Sequence, residues 1–189
     1  MTAPHRHHHL HQLLQALQPR DATESGHRAR MLELLEAPGD PFAREHYIPG
    51  HFTASAFVVS PERDALLMIL HDKLGLWLQP GGHVEPSDAD VVAAARREVA
   101  EEVQLQQLPL AHDGIFDVDI HVVPARRDAP AHQHFDVRFL FEAAADSGRA
   151  SSDVRDARWI RIDDIGSIHT DESVMRAVRK LSDLRRGAR

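Results

Sequence analysis

One long amphipathic helix between two sets of strand patterns constrains the fold of this chain most strongly. The helix is predicted from about Ala89 to Gln104, and its apolar stripe comprises Val91, Val92, Ala95, Val99 and Val103. A Pro80-Gly81-Gly82 turn and a short loop precede it. The order of helices, strands, long helix, strands and last helix predicts an α/β fold, an α/β/α sandwich with a mixed β-sheet.

The remaining elements follow from apolar spacing and turn residues. Strands are predicted at about residues 52–60, 65–71, 77–79, 115–123, 134–141 and 157–162, and a final helix begins near Asp171. Two helices, at about residues 9–17 and 24–35, come before the first strand. Because such short helices are marginal alone, we expect residues 1–48 to form an N-terminal helical extension that packs on a core of residues 49–189.

Three glutamates share one face of the long helix. Glu98, Glu101 and Glu102 stand at i, i+3 and i+4, which places them within roughly 100° around the helix axis. Like charges at this spacing weaken a helix, whereas Mg²⁺ or Mn²⁺ binds carboxylate oxygens and holds phosphate oxygens opposite them. The pattern therefore indicates a metal-dependent enzyme that acts on phosphates. The alternative is a solvated helix face with interspersed arginines.

Composition excludes several other classes of function. The net charge is −7, so the chain has no general electrostatic footprint for nucleic acid. The absence of cysteine excludes disulfides, thiolate zinc sites and cysteine nucleophiles, and it fits a reducing cytoplasm. No stretch reaches the about 20 apolar residues that span a bilayer, and the N-terminus lacks the apolar centre of a secretory leader. We expect a cytoplasmic protein without nucleic-acid or membrane partners.

The N-terminus is rich in histidine. The stretch from Pro4 to His11 contains five of the 15 histidines of the chain. A solvated helix start or an introduced segment is the favoured interpretation, and a metal site is the alternative.

The turn and the helix together resemble the Nudix box. The matching residues are Gly81-Gly82-His83-Val84-Glu85 and Arg97-Glu98-Val99-Ala100-Glu101-Glu102. The family pattern has a glutamate where this chain has Asp88, one residue fewer before the arginine, and a glycine where this chain has Gln104. Flanking stretches, including the ones around His51 and His132, also look like a bacterial Nudix subgroup with an N-terminal helical extension, so the resemblance covers roughly residues 50–180.

The resemblance implies roles for the residues of the box. Glu98, Glu101 and Glu102 are expected to hold the metal, with a backbone carbonyl near Gly82. The catalytic set is Glu98, Glu102 and Arg97: Glu98 comes first as general base or bridging ligand and Glu102 second. Arg97 is expected to act by holding the helix, through an ion pair with Asp88 or Glu85 in the loop.

A second group of polar side chains lies on the predicted strands 115–123 and 134–141. If these strands pair, one face brings together Asp117, Asp119, His121, His134, Asp136 and Arg138. One interpretation is a surface for substrate or an extra metal; the other is a cross-strand ladder of ion pairs. On the first interpretation, we expect His83, His134, Asp136 and Arg138 to bind substrate. Glu142 is a further acidic candidate for a late metal ligand or base.

The function that the resemblance implies is hydrolysis of a nucleoside diphosphate linked to another moiety. Mg²⁺, or Mn²⁺ in its place, activates the attacking water. The partner is a small-molecule nucleotide or diphosphate, and homodimers are frequent among Nudix relatives. A non-catalytic Nudix-like nucleotide sensor is the alternative. The isopentenyl diphosphate isomerase branch is disfavoured because it relies on a cysteine, which this chain lacks.

Overall fold

The chain forms two compact units. The computed structural model describes residues 3–106, 108–145, 147–151 and 154–187. One unit comprises Met1–Ser55, Gly81–Ala95 and Asp113–Phe139, and the other comprises Ala56–Pro80, Arg96–His112 and Leu140–Arg189. None of the helices in the described part of the chain has the length and apolarity needed to cross a membrane.

The elements alternate in the predicted α/β order. The helices are α1 (Ala3–Ala16), α2 (Ala22–Glu36), α3 (Val91–Val103) and α4 (Glu172–Gly187), with a 3-10 helix at Ile162–Ser167. The strands are β1 (Gly50–Val59), β2 (Ala65–Leu70), β3 (Trp77–Leu78), β4 (Gly81–His83), β5 (Asp117–Val123), β6 (His132–Glu142) and β7 (Asp156–Arg161). Strand β4 is missing from the sequence prediction because its two glycines have low strand propensity. Its hydrogen bonds to β1 hold it in the extended conformation instead.

The two N-terminal helices belong to the first unit. They bury Leu10, Leu14, Met31, Leu34 and Leu35. The predicted start of α1, near residue 9, was six residues late. Arg6 explains the difference, because its buried guanidinium bonds the Asp40 carboxylate at 3.0 Å and so fixes the first turn through a tertiary contact. Helix α2 packs on β5, and the division into residues 1–48 and 49–189 stays a prediction.

The sheet is mixed, as predicted. In the first unit β4 is antiparallel to β1 and β5 is antiparallel to β6. Strand β6 runs parallel to β1, because Gln133 bonds Pro49 in the first unit and Ala143 bonds Val59, ten residues further along both strands, in the second. In the second unit β2 is antiparallel to the end of β1, to β3 and to β7.

Helix α3 buries a slightly different stripe from the predicted one. Its buried positions are Val91, Ala94, Ala95, Val99 and Val103. Val92, which the sequence places in the core, is partly exposed and Ala94 takes its place. The correction follows from the helical period, since position 94 lies three residues after Val91 and position 92 turns 100° away from it.

The C-terminal end of α3 explains the departure at Gln104. Gln104 follows the last helical residue and has a φ of 59°, in the left-handed region. Helices commonly end on such a residue, and glycine adopts it without the steric cost that a Cβ atom brings. The glycine of the family pattern is thus a helix stop, and this chain tolerates a strained side chain there.

Replacing Gln104 with glycine is expected to stabilise the protein. Relief of the left-handed strain, less the greater entropy of glycine in the unfolded chain, amounts to about 0.5–1 kcal/mol. Thermal unfolding should then shift upward by about 1–4 °C. The control is Gln104→Ala, which removes the same long 3.5 Å side-chain bond to Ala150 but keeps the Cβ atom. Equal melting temperatures for the two variants would contradict the explanation.

Candidate active site

The three glutamates lie on the second-unit part of α3, next to one arginine. Arg97 donates through Nη1 to Glu98 Oε1 and to Glu101 Oε2, both at 2.9 Å. The Glu98 side chain is 12% exposed, whereas that of Glu101 is 53% exposed. One carboxylate is therefore largely withdrawn from water and the other faces it, with a shared cation offsetting part of their repulsion.

The donor set on this helix fits a hard divalent cation. Glu98, Glu101 and Glu102 offer carboxylate oxygens within two turns of one helix, and Mg²⁺ and Mn²⁺ prefer oxygen ligands. At the helix end, the carbonyl of Glu102 accepts the amide of Ser151 at 2.9 Å. The three side chains offer the oxygen donors that such an ion prefers.

Close packing explains the first glycine of the box. Gly81 pairs with Ser55 across β1 and β4, and a Cβ atom at position 81 would lie 2.3 Å from Ser55 Cβ. Real Cβ atoms do not come so close, so only glycine lets these strands pair. Gly82, whose carbonyl is the predicted metal ligand, lies opposite Ala54 in the same pairing.

The loop after the glycines is held by residues of the first unit. Asp88 is buried and its Oδ2 accepts the backbone amide of Glu85 at 2.8 Å. Glu85 forms an ion pair with Arg44 at 2.7 Å, and its carbonyl accepts a bond from Arg6. The N-terminal segment therefore orders this loop. The predicted pairing of Arg97 with Asp88 or Glu85 stays a prediction.

The polar faces of β5 and β6 meet as the sequence predicts. Asp117 lies opposite Arg138, Asp119 opposite Asp136, and His121 opposite His134. Arg138 is 2% exposed and contacts three carboxylates: Asp136 at 2.8 Å, Asp117 at 3.3 Å and Asp119 at 3.4 Å. Their negative charges outweigh burial, which acts in the opposite direction, and raise the pKa of Arg138 above its ordinary value.

Asp136 is a junction of this network. It accepts hydrogen bonds from Thr53 Oγ1 at 3.0 Å and Ser55 Oγ at 2.8 Å as well as from Arg138. These buried hydrogen bonds link β6 to β1 in the protein interior. For Asp136 and Arg138, two of the four predicted substrate-binding residues, this geometry favours the ion-pair interpretation. Their contact with substrate stays a prediction.

The other two predicted substrate-binding residues belong to a cluster of five histidines. The cluster consists of His51 on β1, His83 on β4, His121 on β5, and His132 and His134 on β6. The ring of His134 lies 4.9 Å from that of His51, 5.2 Å from that of His83 and 5.3 Å from that of His132. In the sequence, His51 and His132 stand out only as parts of stretches that resemble the Nudix subgroup, and no role was predicted for them.

Burial and mutual proximity change the proton affinities of these rings. Desolvation, together with the charges of the neighbouring histidines, lowers the pKa of His134 to about 2, so this ring is neutral at pH 7. Desolvation likewise lowers the pKa of His51. Burial also acts to lower the pKa of His121, but the hydrogen bond that its ring donates to Asp119 and the charge of Asp136 outweigh burial and raise that pKa.

Comparison with known proteins decides the family. The family model described as the NUDIX domain matches residues 49–181. The chain belongs to the Nudix family. As a Nudix-type pyrophosphohydrolase it is an enzyme that hydrolyses pyrophosphate bonds, and its family generally uses a divalent metal. Comparison with curated proteins gave no match.

Solved structures agree with the family. The structure of a NUDIX-family hydrolase from Clostridium perfringens is 25% identical with a TM-score of 0.53, covering 71% of this chain and 97% of that one. An Ap4A hydrolase from C. elegans is 20% identical, with a TM-score of 0.52 and coverage of 72% and 98%. The NUDIX domain of Shewanella oneidensis NrtR, complexed with ADP ribose, is 13% identical, with a TM-score of 0.52 and coverage of 70% and 86%. The last two, below 25% identity, establish the fold alone.

Proposed function

We propose that this Nudix enzyme hydrolyses a nucleoside diphosphate linked to another moiety, with Mg²⁺ as its cofactor and Mn²⁺ as a substitute. The observation that carries the proposal is the face of α3 with Glu98, Glu101 and Glu102 beside Arg97. Glu98, Glu101 and Glu102 would hold the divalent ion, which would offset the charge of the diphosphate and lower the pKa of the attacking water.

The side chains divide the work by their exposure and partners. Glu98, with its carboxylate largely withdrawn from water, is proposed as the acceptor of the water proton, and Glu102 is the second candidate. Glu101, which faces water, serves as a ligand only. Arg97 fixes the orientations of Glu98 and Glu101 through one nitrogen and is a positioning residue. Gly82 is proposed to add its backbone carbonyl to the ligand set.

The substrate class is argued from the relatives and from charge. An Ap4A hydrolase and a NUDIX domain complexed with ADP ribose share the fold, and the names Ap4A and ADP ribose both denote adenosine joined through phosphates. The net charge of −7 disfavours a free polyphosphate unless cations accompany it. His83 and His134, whose rings lie 5.2 Å apart, are proposed to contact the substrate through ring hydrogen bonds, and Asp136 and Arg138 to fix the strand that carries His134.

A substrate panel tests the proposal. Chelator-treated protein is incubated with ADP-ribose, dinucleoside polyphosphates, coenzyme A and nucleoside triphosphates, with and without Mg²⁺ or Mn²⁺, and the products are separated by anion-exchange chromatography. We expect metal-dependent release of a nucleoside monophosphate from at least one diphosphate conjugate. Metal-dependent binding without any product would instead support the nucleotide sensor. Equal turnover in the presence of chelator would contradict the metal-dependent mechanism.

A further inference from the structure

We infer that His51, His132 and His134 form a second metal site, for a transition-metal dication of the zinc class. One ligand nitrogen from each of these side chains lies within 4.8 Å of the other two. Imidazole nitrogens bind Zn²⁺ at about 2.0–2.1 Å, so an ion between them requires only small side-chain adjustments. This site consists of nitrogen donors on β1 and β6 and is chemically different from the carboxylate face of α3.

Hydrogen bonds orient two of the three rings for metal binding. His132 places Nδ1 at 2.8 Å from the carbonyl oxygen of Pro130, and His51 places Nδ1 at 3.4 Å from that of His46. When Nδ1 donates its proton to a carbonyl, the lone pair is on Nε2, which is then the ligand atom. Histidine ligands of metals almost always have such a carbonyl or carboxylate partner on the other nitrogen.

The buried nitrogen of His51 is the second, independent observation. His51 is 1% exposed, and its Nε2 is buried without a hydrogen-bond partner. A buried acceptor without a partner is costly, and an ion bound by Nε2 would remove that cost. The ring faces those of His83, His132 and His134 at centroid distances of 5.1, 5.0 and 4.9 Å.

The donor set determines the class of ion. Three imidazoles suit Zn²⁺, Cu²⁺ and Ni²⁺, whereas Mg²⁺ and Ca²⁺ require oxygen ligands. Three protein ligands leave a fourth position for water or an anion, as in open zinc sites. His83 is a further imidazole beside these rings, at 5.1 Å from His51 and 5.2 Å from His134.

Metal binding by the purified full chain tests the inference. Chelator-treated protein is titrated with Zn²⁺ against a chromophoric chelator, and Co²⁺ is added separately to record the visible absorption of a four-coordinate site. We expect about one tight ion per chain. The variants His132→Gln and His134→Gln should each weaken Zn²⁺ binding about 100-fold or more, since a ligand contributes more than an outer hydrogen-bond partner, whose loss costs 10–100-fold. X-ray absorption of Zn²⁺-loaded wild type should count at least three imidazoles.

Three controls separate this site from other histidines and from the carboxylates. His5→Gln/His8→Gln/His11→Gln removes side chains of the N-terminal helix and should leave the tight site unchanged. His121→Gln should also leave it unchanged, because the His121 ring contacts His134 but supplies none of the three ligand atoms. Glu98→Gln should bind Zn²⁺ like the wild type even when its hydrolysis is lost, so the outcome does not depend on the proposed function.

Several results would overturn the inference. They are absence of tight Zn²⁺ binding by the wild type, loss of binding in the N-terminal triple variant, and wild-type affinity in both His132→Gln and His134→Gln. If the two strand variants do not fold, as judged by circular dichroism, the imidazole count in the wild type decides alone. Fewer than three imidazoles around the ion would then exclude the site.

Discussion

Replacing Glu98 with glutamine is expected to lower metal-dependent turnover about 10²–10⁴-fold, the range for loss of a positioned general base. Glutamine has the same shape, so the helix is preserved while one negative charge and one proton acceptor are lost. The Glu98 carboxylate is 12% exposed and bonded to Arg97 at 2.9 Å, a geometry that keeps it in one orientation for the attacking water or the ion. Steady-state kinetics on the substrate found in the panel measure the effect.

A stability measurement separates this loss from a folding defect. Removing one of three neighbouring charges relieves repulsion on α3 but also removes the ion pair with Arg97, so the melting temperature of Glu98→Gln should stay close to that of the wild type. Glu102→Gln should likewise lose most activity. The matched control is Glu33→Gln on α2, an exposed helical glutamate, which should retain wild-type rates. Wild-type turnover in both Glu98→Gln and Glu102→Gln would refute the assignment of these side chains.

The elements that the sequence predicted well are those with a local pattern. Helix α3 shows a regular apolar period, and the alternation in β5 and β6 predicted that Asp117, Asp119 and Arg138 would share one face, as they do. Each of these predictions depends on residues a few positions apart. Once the two strands pair, a single register choice sets all the facing pairs, because side chains alternate between the two faces of a strand.

The parts that the sequence did not predict depend on contacts between distant residues. His51 and His132 meet because β1 and β6 run parallel, and no local pattern encodes that register. The start of α1 depends on Arg6 meeting Asp40, and the close approach at Gly81 depends on Ser55 of another strand. Helical spacing and the family resemblance both indicated the glutamates, but neither gave His51 and His132 a role. The histidine cluster was therefore recognisable only from the three-dimensional structure.

Replacing Arg138 with methionine is expected to destabilise the protein by about 3–5 kcal/mol, the cost of removing one partner from a buried ion-pair network. The guanidinium is 2% exposed and contacts the carboxylates of Asp117, Asp119 and Asp136, all of them buried. Without it, three buried carboxylates lose the guanidinium that they share. Methionine fills much of the same volume, so the loss reflects charge more than packing. Urea unfolding followed by circular dichroism gives the free energy.

Two comparisons assign the loss to the buried charges. Arg161→Met removes the arginine of an exposed ion pair, in which Nη1 lies 3.1 Å from Asp64, and should cost about 1 kcal/mol or less. Combining Arg138→Met with Asp136→Asn neutralises one of the three carboxylates, and the double variant should be more stable than Arg138→Met alone. If Arg138→Met lowered the free energy of unfolding no more than Arg161→Met, the buried network would contribute little to stability. The substrate-binding role of Arg138 would then be favoured, because a residue selected for function can be replaced without weakening the structure.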